Sequence, residues 1–209
     1  MIKVIGVDLD NTLYDQIEFE KGAFSLVAER ISNDFGIDKE MIEQLLLDRY
    51  KKNQRDRIFD ICLQFIDLER SKWEDYVRNI ILPLYRNYKP LNLQLSSIAK
   101  EIIRFVLEKK FKFCLITNGR VETQTSKIEA LNIKNLFDLI LISDEYGNKR
   151  KPDLLMFKKA LKYFNISGKE MIYIGDDVNT DSVCEKLGIK FINIKDIGNI
   201  SILEEVIYG

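Results

Sequence analysis

Four short polar clusters each stand beyond an apolar run, and their residue types complement one another. Asp8-Leu9-Asp10-Asn11-Thr12 follows Val4-Ile5-Gly6-Val7, and Thr117-Asn118-Gly119 follows the run from Phe111 to Ile116. Lys151-Pro152-Asp153 lies beyond Leu139-Ile140-Leu141-Ile142. Gly175-Asp176-Asp177, with Asp181 further on, follows Met171-Ile172-Tyr173-Ile174. Brought together, Asp8, Asp176 and one of Asp177 or Asp181 would repel and raise one another's pKa values. A hard divalent cation relieves that repulsion, and Mg²⁺ prefers oxygen ligands while keeping several waters. The Thr117 hydroxyl and the Lys151 ammonium add hydrogen-bond donors and positive charge. Gly119 leaves backbone amides accessible near a helix start, a favourable place for an oxyanion. Such a set suits a phosphoryl group, whose transfer is catalysed mainly by positioning and charge stabilisation. A carboxylate beside that group can attack it and form an acyl phosphate.

These clusters need a scaffold that gathers distant residues. The apolar runs have the length of strands, and a fifth, Phe191-Ile192-Asn193-Ile194, follows them. Segments of helical period lie between. Ile98, Ile102, Phe105 and Val106 share one face of a helix predicted over about 96–109. Leu154, Phe157, Leu161 and Phe164 do the same after Pro152, read as a first-turn proline. Ser167 and Glu170 have capping-box spacing before the fourth strand. Strands apolar throughout and alternating with helices predict an α/β fold, a Rossmann-like parallel sheet covered on both faces. The carboxyl ends of its strands share one edge, where ligands bind.

Residues 16–90 break the alternation and contain no convincing strand. Ile42, Leu45, Leu46 and Tyr50 recur at helical spacing, as do Ile58, Cys62, Phe65 and Ile66, then Trp73, Val77, Ile80 and Ile81. Asp38 is a good N-cap for the second helix. An all-helical insertion of about four helices after the first strand is expected, giving a core of residues 1–15 and 91–209 and a helical unit of residues 16–90. Phe19, Phe24, Phe59, Phe65, Trp73 and Tyr76 are expected mostly in the core of that unit.

Composition narrows the chemistry. The 209 residues are 46% hydrophobic and 31% charged, ordinary for a globular protein. Thirty-two basic and 33 acidic side chains leave a net charge of −1, so nothing asks for nucleic acid or an anionic membrane as partner. The basic stretch Arg49, Lys51, Lys52, Arg55 and Arg57 is interleaved with Asp48, Asp56 and Asp60 and reads as a solvated face. No apolar run nears the ~18 residues of a spanning helix, and the N-terminus reaches Asp8 too soon for a secretory segment. A cytoplasmic location is expected. Cys62, Cys114 and Cys184 have no C-x-x-C spacing and read as small buried apolar residues. There is no histidine. Ser-His-Asp catalysis, histidine-ligated zinc and a histidine phosphoenzyme are excluded.

Asp8-Leu9-Asp10-Asn11-Thr12 resembles the D-x-D-x-T signature of the haloacid dehalogenase-like superfamily of hydrolases. Thr117-Asn118-Gly119, Lys151-Pro152-Asp153 and Gly175-Asp176-Asp177 with Asp181 resemble its second, third and fourth motifs, in order and over essentially the whole chain. The resemblance implies Asp8 as nucleophile and Asp10 as general acid–base. Thr117, Asn118 and Lys151 would hold the phosphoryl oxygens, Lys151 also restraining Asp8. Mg²⁺ would be bound by Asp8, the backbone carbonyl of Asp10, and Asp176, with Asp177 or Asp181 in support. The helical unit resembles the family's cap, which shapes substrate choice. Dehalogenases of the superfamily lack the second aspartate, whereas this chain has Asp10. That points to phosphate esters, whose alkoxide leaving group needs a proton. The run Leu115–Arg120 with Gln124 and Lys127 looks most like phosphatases of nucleotides or sugar phosphates.

The expectation is therefore a Mg²⁺-dependent phosphatase acting on a small phosphorylated metabolite through an aspartyl phosphate. A phosphomutase could use the same residues. A regulatory phosphoacceptor domain shares the acidic cluster, threonine and lysine, but there the acidic pair precedes the acceptor. A non-catalytic binding protein is disfavoured by the complete motif set. Oligomeric state is not legible.

Overall fold

A computed structural model of the protein describes residues 1–209. Five strands form one parallel sheet: β1 (Val4–Val7), β2 (Lys112–Thr117), β3 (Leu139–Ile142), β4 (Met171–Gly175) and β5 (Lys190–Asn193), in the order β3-β2-β1-β4-β5. Register sets Gly6 beside both Cys114 and Tyr173. Alternation then assigns the faces. Val4, Cys114, Ile116, Met171 and Tyr173 join Met156, Phe157 and Ala160 of helix α7 (Leu155–Phe164) in one core cluster. Ile5, Val7, Phe113, Leu115, Ile172 and Ile174 point the other way and are also buried. Both faces are covered, which is why these strands carry no polar alternation.

The remaining helices of this unit are α5 (Ser97–Glu108), α6 (Val121–Ala130), a single turn α8 (Val178–Asp181) and α9 (Ile200–Tyr208). Helix α5 starts where its N-cap places it: the Ser96 hydroxyl accepts from the Ala99 N–H at 3.1 Å. Glu170 accepts from both the N–H and the hydroxyl of Ser167, each at 2.9 Å, and the chain then enters β4. Helix α7 begins later than its sequence suggests. Pro152 is not in its first turn: the Lys151–Pro152 peptide bond is cis, and the chain turns before Leu155.

The chain divides into two compact units, residues 1–16 with 92–209 and residues 17–91. The second contains α2 (Lys39–Lys51), a 3-10 segment over Ile58–Phe65, and one continuous helical stretch of α3 (Arg70–Tyr76), a π turn (Val77–Ile81) and α4 (Leu82–Arg86). Helix α1 (Gln16–Phe35) forms its first side. Phe24, Val27, Ile31, Ile42, Leu46, Phe59, Cys62, Trp73 and Ile81 make its core. Phe65 does not join them and is 42% exposed. The 3-10 segment ends there, and extended backbone at Ile66 (φ −119°, ψ 121°) turns that residue inward instead. All three cysteines are free and buried, and burial pushes the Cys62 and Cys184 thiols up to about 12. No helix is long and apolar enough to cross a membrane.

Asp38 accepts from the Met41 N–H at 2.7 Å and caps α2. Asp38→Ala removes that acceptor from an exposed site and is expected to cost about 1 kcal/mol in denaturant unfolding. A change within error would mean that water replaces the cap at no cost.

Candidate functional site

The sheet order changes direction between β1 and β4, and Asp8 and Asp176 end these two neighbouring strands. The Asp8 N–H continues the ladder by donating to the Ile174 carbonyl at 2.9 Å. Carboxylate oxygens of Asp8, Asp176 and Asp181 lie within 4.8 Å of one another. Asp181 reaches them because Gly175 has no side chain: a Cβ there would stand 2.1 Å from Asp181 Oδ2. The donors are all hard carboxylate oxygens, a set that fits a divalent cation of the Mg²⁺ kind.

Lys151 supplies the positive charge inside this cluster. Its Nζ donates to Asp8 Oδ1 at 2.8 Å, Asp181 Oδ1 at 2.6 Å and the Tyr173 hydroxyl oxygen at 2.8 Å. That uses all three hydrogens of the ammonium. Tyr173 in turn donates to the Ile116 carbonyl at 2.7 Å, so the pairing ties β4 to β2 across β1. Asn118 fixes the other end of the lysine. Its Nδ2 donates to the Lys151 carbonyl at 3.0 Å, and its Oδ1 accepts from the Lys151 N–H at 2.8 Å.

Asp10 faces a different set. Its Oδ1 accepts from Tyr14 at 2.5 Å and Lys127 at 2.7 Å; its Oδ2 accepts from Gln124 and Lys127, both at 3.0 Å. The Asp10 carboxylate is thus committed to these donors. Thr117 is buried at the end of β2, and its Oγ1 accepts from Gln124 Nε2 at 2.7 Å. Asp177 lies at the start of α8, where its side chain accepts from the Asn179 N–H at 3.0 Å and the Thr180 hydroxyl at 3.1 Å. The structure therefore gathers Asp8, Asp176, Asp181 and Lys151, links Asp10 to Thr117 through Gln124, ties the Asn118 side chain to the Lys151 main chain, and ties the Asp177 side chain to the Asn179 N–H and the Thr180 hydroxyl of α8.

Sequence reasoning missed Tyr173 and Ser143. Tyr173 could have been suspected as the one hydroxyl in an otherwise aliphatic strand. Ser143 Oγ accepts from the Gly119 N–H at 3.0 Å, and Asp144 Oδ2 accepts from the Val121 N–H at 3.4 Å. These two residues hold the turn into α6, which has no side-chain cap of its own. Nothing local in the sequence marks them.

The charges follow from burial and pairing. Burial pushes the Asp8 carboxyl up to about 7; Lys151 opposes this, and Asp181 adds repulsion. Asp176 is raised by burial and then by Asp181. Burial also raises Asp10, but the Lys127 ammonium and the three hydrogen bonds outweigh it and hold this carboxyl below its ordinary value. Burial would lower Lys151, yet Asp8 and Asp181 hold it above its ordinary value. The sheet edge thus carries one carboxyl pushed up and, two residues later, one held down.

A sequence profile of haloacid dehalogenase-like hydrolases matches residues 5–194, nearly the whole chain. The chain belongs to the haloacid dehalogenase-like hydrolase family. This hydrolase is 32% identical over 185 residues to a glyceraldehyde 3-phosphate phosphatase of Pyrococcus abyssi, covering 87% of this chain and 76% of the relative. It is 23% identical over 194 residues to the human N-acylneuraminate-9-phosphatase, covering 86% and 76%. Among solved structures, a HAD phosphatase from Thermococcus onnurineus superposes with a TM-score of 0.68 at 18% identity, over 100% of this chain and 99% of that one. At such identity the likeness speaks to the fold, and it agrees with the parallel five-stranded sheet found here.

The Asp8 carboxyl of this hydrolase ionises at about 7 when folded, against an ordinary 3.8. The folded chain therefore binds more protons than the unfolded chain between those values, and stability falls as pH rises through that window. The amide in Asp8→Asn does not ionise. In chelating buffer, Asp8→Asn should gain on the wild type by a few kcal/mol between about pH 4 and pH 8, at ~1.4 kcal/mol per pH unit. Urea unfolding at the two pH values measures this, and a difference independent of pH would contradict the burial argument.

Proposed function

We propose that the protein is a Mg²⁺-dependent phosphatase of small phosphorylated metabolites, working through an aspartyl phosphate at Asp8. The observation that carries this reading is the placement of two carboxylates with opposite environments. Asp8 is fixed through one oxygen by a buried lysine and stands beside Asp176 and Asp181. Asp10, two residues on, is gripped by donors alone.

Asp8 Oδ2 would attack phosphorus while Lys151 holds Oδ1. The ester P–O bond breaks, and the leaving oxygen takes its proton from Asp10. Water then attacks the phosphorus of the aspartyl phosphate, Asp10 takes the proton of that water, and the bond to Asp8 breaks. Thr117, with the Asn118 main chain beside it, would hold the phosphoryl oxygens. Asp8, Asp176 and Asp181, with the Asp10 backbone carbonyl, would hold Mg²⁺, which supplies positive charge to the phosphoryl group and to the acidic cluster. The site needs such charge: three carboxylates face one ammonium.

The relatives named as phosphatases of glyceraldehyde 3-phosphate and of an N-acylneuraminate 9-phosphate support the phosphate ester and favour sugar-type substrates over nucleotides. We assign substrate selection to the helical unit. It contains a cavity of about 550 Å³ lined by Glu20, Phe24, Tyr50, Arg57, Phe59 and Tyr85, aromatic walls with charged groups among them. A phosphomutase would need the same first half-reaction; nothing in the site favours it over hydrolysis.

Asp8→Asn is expected to lower turnover of p-nitrophenyl phosphate by at least roughly 10³-fold, because the amide cannot serve as nucleophile. Excess EDTA should abolish wild-type turnover and added Mg²⁺ restore it. Activity surviving Asp8→Asn would overturn the nucleophile, and full activity in EDTA would overturn the metal.

A further inference from the structure

Lys151 carries the positive charge of the acidic cluster, yet it belongs to no helix or strand. The 3-10 turn over Ser143–Tyr146 ends before it, and α7 starts after it at Leu155. Residues 147–150, just ahead of it, are exposed, whereas Lys151 itself is buried. Buried main-chain N–H and carbonyl groups need partners, and no ladder or helix supplies them here. One side chain meets both needs. Asn118 Oδ1 accepts from the Lys151 N–H at 2.8 Å, and Asn118 Nδ2 donates to the Lys151 carbonyl at 3.0 Å. A main-chain N–H only donates and a carbonyl only accepts, so these partners fix which way the amide faces. Asn118 offers Lys151 what a neighbouring strand would offer. It also directly follows Thr117, the last residue of β2. The turn beyond it is held from the other side: the buried Ser143 hydroxyl accepts from the Gly119 N–H at 3.0 Å and donates to the Gly119 carbonyl at 3.3 Å. The linkage is therefore continuous. Thr117 is bonded to Asn118, Asn118 grips the Lys151 main chain, and Lys151 Nζ holds Asp8 Oδ1 at 2.8 Å.

We propose that Asn118 is a positioning residue: its side chain acts through Lys151 to set Asp8 against a phosphoryl group held at Thr117, and Ser143 steadies the turn from which it acts. The inference rests on the phosphatase reading above and deepens it. Both polar ends of the Asn118 amide are engaged by Lys151, so the amide serves alignment and does not itself hold phosphoryl oxygens. Alignment is costly to lose, because attack requires the reacting atoms to be about 3–3.5 Å apart, and a misplacement of about 1 Å can lower the rate roughly 10²-fold. Removing the amide leaves the Thr117 hydroxyl in place to bind phosphate. It frees the main chain from which the lysine reaches Asp8. The defect therefore falls on turnover and not on binding.

The test measures turnover and ground-state binding separately in Mg²⁺: kcat with p-nitrophenyl phosphate, and the Kd of inorganic phosphate by phosphorus NMR. The enzymes compared are the wild type, Asn118→Ala, Ser143→Ala, Lys151→Met and the double variant Asn118→Ala/Lys151→Met, each well below its melting transition. Leu203→Ala, in the buried face of α9, controls for lost stability and should leave both quantities unchanged. Asn118→Ala should lower kcat by roughly tenfold or more while the Kd of phosphate stays within about twofold. Ser143→Ala should show the same split with a smaller fall in kcat. In the Lys151→Met background, Asn118→Ala should lower kcat by no more than about twofold further, since residues that act through one group are not additive. A Kd raised in step with the fall in kcat would make Asn118 a phosphate-binding residue and overturn the inference. An unchanged kcat in Asn118→Ala, or a fully additive loss in the double variant, would overturn it too. Should Asn118→Ala or Lys151→Met not fold, Ser143→Ala decides: a lowered kcat at constant Kd supports the inference, and any other result overturns it. All these results leave Asp8-dependent turnover standing, whereas a wild type that hydrolyses no phosphate ester in Mg²⁺ would overturn the phosphatase reading and the inference together.

Discussion

A buried ammonium is the interaction on which the rest of the site depends. Lys151 Nζ touches Asp8, Asp181 and Tyr173, three groups that reach it from β1, from the turn after β4 and from β4 itself. Taking an ion pair out of water costs several kcal/mol per ion unless geometry and further hydrogen bonds compensate. Here they do, because each hydrogen of the lysine has an acceptor and the tyrosine passes its own hydrogen to the Ile116 carbonyl. The balance is still incomplete. One lysine faces Asp8, Asp176 and Asp181, and Asp8 is pushed up to about 7, chiefly by burial. An excess of negative charge of this kind is a feature that a bound divalent cation would complete.

The fold is arranged around that charge problem. A parallel sheet delivers all its strand ends to one edge, so residues from distant parts of the chain meet without long loops. Close approach is then obtained by omission of side chains. Gly175 admits Asp181 to the cluster, and Gly119 admits Gln124 to the gap between Asp10 and Thr117. The turn into α6 is held from β3's side by Ser143 and Asp144, so the helix that carries Gln124 and Lys127 starts at a fixed place. Two carboxylates two residues apart consequently experience opposite surroundings. Asp8 is crowded by acids, and Asp10 is surrounded by donors. Tuning two like groups apart is how a site assigns them different tasks.

Much of the sheet was legible because each strand is a short, wholly apolar run with turn residues beyond it. Asp38, Ser96 and the Ser167–Glu170 pair were legible as caps because capping depends on local chemistry. The polar clusters at strand ends were legible as a set for the same topological reason. What was not legible came from periodicities close to 3.6 and from contacts across the sheet. The 3-10 segment over Ile58–Phe65 and the π turn over Val77–Ile81 give apolar patterns that also suit an α-helix. Phe65 was accordingly expected inside and is exposed. Pro152 fits a helix start by residue type but lies in a turn. Tyr173 and Ser143 carry no local mark of their partners. Lys127 and Asp10 stand 117 positions apart, and only sheet closure makes them neighbours.

The proposed mechanism requires that Asp8 become covalently phosphorylated during turnover. Borohydride reduces an acyl phosphate to the alcohol, converting a phosphorylated aspartate into homoserine. The direct measurement is to quench the enzyme during turnover with Mg²⁺ and a phosphate ester, reduce it with borohydride and map the peptides by mass spectrometry. Homoserine at position 8, absent without substrate, is the predicted result. Turnover with an unmodified Asp8, or with the label on another carboxylate, would overturn Asp8 as the nucleophile.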